Sequence, residues 1–108
     1  MTSIPKLTEE QRRENLAKAM QARRHRSSVL RQVSSGEKTV ADVIAMADGG
    51  DEDVARMRVF TLIKAVPGYG FAKTQRLMKR IGISESRRIR GLGARQRAEI
   101  VDAVGGAR

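Results

Sequence analysis

Residues 65–70 read AVPGYG, and they separate two segments that both have helical patterns. Pro67 fixes one backbone dihedral and Gly68 accepts a positive one, so the pair predicts a type II turn. Gly70 then opens the next helix, whose first backbone N–H groups lack helical partners and favour a phosphate. The stretch therefore predicts a helical hairpin with a phosphate-binding turn, and a plain helix–helix turn explains these residues about equally well.

The segments on either side of this turn have the apolar period of helices. Residues 53–65 are apolar over a wide arc, which predicts a single core helix. Residues 71–80 predict a second helix, with Phe71 on its inner face. Lys64 and Lys73 flank the turn, and together with Arg76 they add positive charge for a phosphate.

A second informative stretch, residues 84–95, reads SESRRIRGLGAR. Arginine forms bidentate bonds with phosphate and enters a narrow minor groove well. We expect Ile89 and Leu92 to point inward and anchor the arginines, and Gly93 to precede another helix start. A solvated arginine-rich loop is the less favoured interpretation. The candidate contacts in this stretch are Ser86, Arg87, Arg88, Arg90, Gly91, Gly93 and Arg95, which join Lys64, Pro67, Gly68, Gly70 and Lys73 from the turn.

Capping patterns place the remaining helices. Thr8 and Gln11 match the pattern of a capping box, and Thr39 with Asp42 comes close to that pattern. They predict a long first helix to about residue 33 and a short second helix, and residues 94–104 predict a final one. No segment shows the alternation of apolar and polar residues that is typical of a β-strand. The sequence thus predicts an all-α protein of about five helices, with a basic N-terminal helical arm at 1–35 and a globular domain at 36–108.

The net charge of +10 over 108 residues indicates a polyanionic partner. Residues 1–33 carry 8 basic and 3 acidic side chains, a net +5, and residues 64–97 carry 10 and 1, a net +9. The intervening residues 34–63 carry 3 basic and 6 acidic side chains, a net charge of −3. A surface selected for solubility mixes the two signs. Two separate basic blocks instead predict two contact surfaces.

The arm is the weaker of these two candidates. Its apolar stripe is thin, so we expect its first half to project and only its second half to pack. A basic helix of this kind also suits a membrane surface, but the missing Trp and Phe favour nucleic acid. His25 is interpreted as a polar member of this face. The arm residues expected to form a second DNA surface are Arg12, Arg13, Arg23, Arg24 and Arg26.

Several classes of function find little support in the composition. The chain has no Cys and one His, which excludes thiolate zinc sites and cysteine nucleophiles. No nucleophile, base and acid stand together, so we expect no enzyme, cofactor or small-molecule substrate. The acidic run at 48–53 lacks the ligand spacing of a calcium loop, and we expect no metal. The longest apolar run, Val43–Ala47, is too short for a membrane span, and no apolar leader is visible, so a cytoplasmic protein is expected.

The motifs also carry a family resemblance over nearly the whole chain. They are LTEEQR at 7–12, VPGYG at 66–70 followed by Ala72 and Lys73, and IGISESRRIRGLG at 81–93. With these the chain resembles the actinobacterial integration host factors of mycobacteria and streptomycetes. Those are small nucleoid-associated proteins, unrelated in fold to the HU-type factors.

The resemblance implies a monomeric all-α protein with a helix-two-turns-helix module. It implies a nucleoid protein that binds duplex DNA with little sequence preference, bends and compacts it, and assists phage integration. It assigns DNA contacts to Arg87, Arg88 and Arg90, with Gly91 and Gly93 as loop residues. The alternative that stays open is an RNA-binding or ribosome-associated protein with the same module.

Overall fold

The computed structural model describes residues 8–105, which form helices and no β-strand within that range. A 3₁₀ turn, Ile89–Gly91, precedes the last α-helix, which passes into a π-helical turn at Val101–Gly105. The all-α class and the long first helix are thereby confirmed. The six α-helices are α1 (Glu9–Ser35), α2 (Val40–Asp48), α3 (Glu52–Ala55), α4 (Val59–Lys64), α5 (Phe71–Ile81) and α6 (Ala94–Ile100).

Both predicted capping boxes are present. The Thr8 hydroxyl accepts from the N–H of Gln11 at 3.0 Å, and the Gln11 side chain accepts from the N–H of Thr8 at 2.9 Å. Thr39 and Asp42 make the same reciprocal pair at the start of α2. Each box satisfies two backbone donors that a helix start leaves free, which is why these short signals locate the helices well.

The prediction of one helix over residues 53–65 is wrong, because the chain leaves the helix between α3 and α4. Three backbone groups in this break bind the distant segment that follows α5. The N–H of Val59 donates to the carbonyl of Arg87 at 2.9 Å, and the carbonyl of Met57 accepts from the N–H of Ile89 at 2.9 Å. The carbonyl of Arg56 accepts from the Arg88 side chain at 2.6 Å. A continuous helix would leave these groups unavailable, so the tertiary contacts override the local period.

The core is aliphatic and receives side chains from all six helices. Its fully buried members include Leu62, Ile63, Met78, Ile89 and Ile100. Leu92 is also buried, which confirms that the two apolar residues of the arginine-rich stretch point inward.

Phe71 does not face inward as expected, since 57% of it is exposed. Its ring packs edge-on against Phe60 at a centroid distance of 5.1 Å and so joins α5 to α4 near the surface. The last helix also differs from the expectation for residues 94–104, because its α-helical part ends at Ile100.

The arm projects in its first half and packs in its second. Every described residue from 8 to 21 is exposed, whereas Val29 and Val33 are buried in the core. The molecule is accordingly elongated, with principal extents of 54, 31 and 27 Å. The division of the chain at residue 35 stays a prediction, and the last turns of α1 share the core with the helices that follow.

Candidate nucleic-acid interface

The turn between α4 and α5, which we call the Pro–Gly turn (residues 65–70), has the predicted geometry. The N–H of Tyr69 donates to the carbonyl of Val66 at 3.0 Å, and Gly68 has φ 87°, as position three of a type II turn requires. Pro67, Gly68 and Gly70 are exposed. The turn therefore presents its backbone to the solvent.

The start of α5 is suited to a negative charge. Gly70 is its N-cap, no side chain caps it, and its first turn holds no acidic residue. Lys73 lies in that first turn, with its Nζ atom 4.4 Å from the centroid of the Tyr69 ring. Lys64 is exposed at the other side of the turn, at the end of α4. The start of α5 thus combines free backbone N–H groups, the positive end of the helix dipole and the cation of Lys73, and Lys64 adds a second cation at the end of α4.

The arginine-rich segment that follows α5, which we call the arginine loop (residues 84–93), is fixed by backbone bonds to the core. Arg88 and Arg58 form an antiparallel bridge, flanked by the Val59–Arg87 and Ile89–Met57 hydrogen bonds. The side chain of Ile89, between two arginines, is fully buried. The loop therefore holds its arginine backbone in place while the charged side chains remain outside.

Three exposed guanidinium groups emerge from this loop without a carboxylate partner. Arg87 donates to the carbonyl of Gly91 at 2.7 Å, and Arg88 donates to the carbonyl of Arg56. Arg90 makes no hydrogen bond or ion pair within residues 8–105. A guanidinium has five N–H donors, so all three side chains keep donors for an anion. The charge of each remains uncompensated by the described part of the chain.

Gly91 allows the side chain of Arg87 to pack closely over the loop. A Cβ atom at residue 91 would lie 3.0 Å from the Cδ atom of Arg87, a distance at which one of the two groups must move. The φ of Gly91 is not positive, so the backbone itself would accept alanine. The glycine therefore serves the packing of one arginine side chain over the loop.

Other predicted contacts in this region are already engaged inside the protein. Arg95 pairs with Glu99 at 2.8 Å and donates to the carbonyl of Ile81 at 3.3 Å. The N–H of Gly93 donates to the side chain of Gln96 at 3.0 Å. Binding of a ligand through Arg95 or the N–H of Gly93 would therefore have to break existing bonds.

Two serines and a glutamate begin the arginine loop. The hydroxyls of Ser84 and Ser86 are 3.2 Å apart, and both residues are exposed. The carboxylate of Glu85 accepts from the Gln75 side chain at 3.1 Å, so it binds α5 and leaves Arg88 unneutralised. Ser86 therefore retains an exposed hydroxyl beside the arginines.

The Pro–Gly turn and the arginine loop lie at opposite ends of α4. Val59 opens α4 and bonds to the loop, and Lys64 closes α4 beside the turn. Six residues of α-helix span about 9 Å. One strand of a nucleic-acid duplex carries about one negative charge per 3.4 Å of axis, so a length of about 9 Å corresponds to about three phosphates of one backbone.

The arm presents its cations separately from this region. Arg12, Arg13, Arg23 and Arg24 are exposed, and Arg26 is half-buried. Arg13 lies 4.0 Å from Glu9 with both side chains highly exposed, so this ion pair contributes little to stability. Four of the five arginines predicted to form a second surface are therefore exposed on the arm.

The contact that the sequence did not reveal is His25 with Asp51. The Nε2 atom of His25 is 2.6 Å from a carboxylate oxygen of Asp51, which joins the middle of α1 to the acidic run. Burial raises the pKa of Asp51, but the bonds from His25 and the N–H of Val54 lower it by more, so it lies below its usual value. His25 is thus a structural partner of an N-cap residue. A histidine and an acid 26 positions apart give no local signal.

The acidic run at 48–53 is used for structure. Asp51 caps α3 through the N–H of Val54 at 3.2 Å, and Asp48 forms an ion pair with Arg97 of α6. No group of three or more potential ligands among residues 8–105 is arranged to hold a metal ion. Within the same range, no helix has the length and apolar character needed to cross a membrane.

Comparisons with known proteins agree with this architecture. Residues 33–104 match the S13-like H2TH domain family. The chain is 39% identical over 98 residues to an integration host factor of Streptomyces coelicolor, covering 91% of each chain. It is 37% identical over 105 residues to an integration host factor of Mycobacterium tuberculosis, covering 97% of this chain and 99% of the relative.

A solved structure of sIHF bound to an 8bp palindromic DNA superposes with a TM-score of 0.79 at 35% identity. The match covers 82% of this chain and 99% of that one. The resemblance seen in the sequence motifs is thereby confirmed. The chain belongs to the family of the Streptomyces and Mycobacterium integration host factors and contains an S13-like H2TH domain.

Proposed function

We propose that this protein is an architectural, nucleoid-associated protein that binds double-stranded DNA as a monomer, with little sequence preference. The observation that carries the proposal is the arginine loop, whose three exposed guanidinium groups form no ion pair within the described chain. The DNA-bound structure of a relative supports the same class of partner. The family resemblance extends the proposal to bending and compaction of chromosomal DNA and to assistance in phage integration.

In this proposal, Arg87, Arg88 and Arg90 bind phosphates or enter the minor groove. The free N–H groups at the start of α5 bind a flanking phosphate, with Lys64 and Lys73 beside it. None of these contacts requires a particular base, because phosphate contacts position a protein without carrying sequence information. The expected result is broad affinity for duplex DNA.

The test is the affinity for a mixed-sequence duplex of about 20 base pairs, measured by fluorescence anisotropy across salt concentrations. If about six phosphates are neutralised, log affinity falls against log salt with a slope near −5. Replacing Arg87, Arg88 and Arg90 by Ala weakens binding more than a hundredfold at about 0.1 M salt and makes the slope shallower by about 3.

The matched control is Arg56→Ala, which removes the charge of an exposed arginine that already lies 3.8 Å from Glu52. It is expected to leave affinity within about threefold. Affinity that does not respond to salt contradicts the proposal. A loss confined to one DNA sequence shows base readout and contradicts the stated lack of preference.

RNA binding is the second candidate, favoured by the S13-like description of the matched domain family. Competition between duplex DNA and structured RNA of equal length separates the two functions. Preferential displacement by RNA replaces the DNA proposal.

The arm is proposed as a further DNA surface through Arg12, Arg13, Arg23, Arg24 and Arg26. The first two stand among Glu9, Glu10 and Glu14, whereas residues 15–36 contain no acidic side chain. Replacing Arg23 and Arg24 by Ala is therefore expected to weaken binding more than replacing Arg12 and Arg13. Equal losses contradict the expected order of the two pairs, and normal binding by both variants contradicts the assignment of the arm as a DNA surface.

A further inference from the structure

The solvent side of α5 carries an ordered row of cations, Lys73, Arg76 and Arg80, which we call the α5 stripe. Their spacings of three and four residues place all three within about 60° of one another around the helix axis. All three are exposed, and together with Tyr69 and Leu77 they line one shallow depression. The stripe is therefore one surface feature.

The stripe is not explained by the stability of the helix. Like charges three or four positions apart on a helix repel each other and destabilise it. None of the three residues forms an ion pair within residues 8–105. Glu99 and Asp102 border a depression that Arg80 also lines, but neither carboxylate comes within ion-pair distance of Arg80. Arg76 likewise lines a depression with Glu85, and that carboxylate is not within ion-pair distance of Arg76.

The position of the stripe relates it to both candidate elements. It begins in the first turn of α5, directly after the Pro–Gly turn, and ends two residues before Gly82, where the chain turns toward the arginine loop. From residue 73 to residue 80 it extends about 10 Å along the axis. An anionic backbone that contacts the Pro–Gly turn can therefore continue along α5.

The Tyr69 ring adds order to the start of the stripe. The ammonium group of Lys73 lies over the ring, and Tyr69 itself is half-buried against the core. This cation–π contact limits the conformations of a long side chain before any ligand arrives. A positioned lysine loses less conformational freedom on binding an anion than a free one.

We propose that the α5 stripe is a further phosphate-binding track, which holds the sugar–phosphate backbone of the same duplex that the Pro–Gly turn and the arginine loop contact. The inference rests on the proposed DNA binding and adds Arg76, Arg80 and Tyr69 to its surface. It assigns to α5 a footprint that extends beyond the loop and the turn.

The test compares the double substitution Arg76→Ala with Arg80→Ala against Arg56→Ala with Lys38→Ala, a pair that removes the same charge. Arg76 and Arg80 are the stripe cations that the proposed function does not already use. Arg56 and Lys38 lie outside α5. Affinity for the duplex and its salt dependence are measured for both, with helicity and thermal unfolding as checks of folding.

The stripe variant is expected to bind about 60-fold more weakly at about 0.1 M salt, with a slope shallower by about 2. The control is expected to stay within about threefold. Equal losses in the two variants overturn the inference, because they show a general effect of net charge. If the stripe variant binds normally while the variant of Arg87, Arg88 and Arg90 does not, the inference fails and the proposed function stands.

Discussion

Gly91→Ala isolates the packing of Arg87 from its charge. The new Cβ would lie 3.0 Å from the Cδ atom of Arg87, and the next nearest atom, Nη1 of the same side chain, would lie at 3.9 Å. Ordinary contact between carbons begins near 3.5 Å. Because the backbone φ suits alanine, the side chain of Arg87 has to give by a few tenths of an ångström, which strains its 2.7 Å bond to the carbonyl of residue 91.

The magnitude follows from that one bond. A hydrogen bond from a charged group contributes about 1.5–3 kcal/mol when buried, and solvent exposure reduces this to about 1 kcal/mol. A displaced Arg87 must be ordered again by the DNA, which weakens binding by at most about fivefold. Alanine also restricts the unfolded chain, which stabilises the fold by about 0.4–1 kcal/mol and offsets the lost bond. The thermal midpoint is thus expected to change little while affinity falls.

The assay is anisotropy with the mixed-sequence duplex, paired with thermal unfolding. Gly93→Ala is the matched control, because its Cβ would meet only the Gln96 side chain at an ordinary 3.7 Å. We expect Gly93→Ala to bind as the wild type does. If Gly91→Ala also binds as the wild type does while Arg87→Ala binds weakly, the held conformer of Arg87 is not the one that contacts DNA, and the reasoning is refuted.

Three further predictions concern stability. Ile89→Ala, which empties a fully buried site beneath the arginine loop, is expected to cost about 2–5 kcal/mol in urea unfolding, against about 0.5–1.5 kcal/mol for Ile89→Val. Thr74 is fully buried and its hydroxyl finds no partner in residues 8–105, so Thr74→Val should gain about 1 kcal/mol, and a lower melting temperature would contradict this. Because the pKa of Asp51 is lowered in the folded state, its stabilisation is present above the unfolded pKa and lost as pH falls through the folded value. Asp51→Ala is therefore expected to lower the free energy of unfolding by about 1–2 kcal/mol near neutral pH. Urea unfolding at several pH values should show this difference from the wild type becoming smaller below about pH 4, and a difference that does not change with pH would exclude the charge effect.

Local signals in the sequence predicted the parts of the fold that depend on neighbours along the chain. The pair of Thr8 and Gln11 predicted a helix start because each side chain binds the backbone of the other, three residues away. The turn at Pro67 and Gly68 was predictable for the same reason, since its dihedral angles are set by the two residues themselves.

The parts that were not predicted depend on residues far apart in the chain. The break between α3 and α4 exists because Met57 and Val59 pair with a segment about thirty residues later, and nothing within the break announces it. The apolar period of residues 53–65 continued through the break, because both short helices face the same core. The same holds for His25 and Asp51, whose contact depends on how α1 packs.

The sequence identified the arginines of the candidate site, but it did not show which of them are already engaged in ion pairs or hydrogen bonds. Arg90 and Arg95 are both arginines of the same basic segment, so the sequence does not distinguish them. The side chain of Arg90 forms no ion pair within the described chain, whereas Arg95 is bound by Glu99 and by a backbone carbonyl. The difference arises because Glu99 lies one helical turn after Arg95, whereas no acid occupies that position for Arg90. Charge counting therefore overestimates the number of cations available to a ligand.

The bridge between residues 58 and 88 makes the arginine loop a property of the whole fold. A synthetic peptide of residues 84–93 would carry the same charges but would lack both backbone bonds and the cavity that holds Ile89. Since the arranged loop exists only when the protein is folded, any anion that prefers this arrangement must also shift the equilibrium away from the unfolded chain. Ligand occupancy and resistance to denaturation are consequently expected to rise together in this protein.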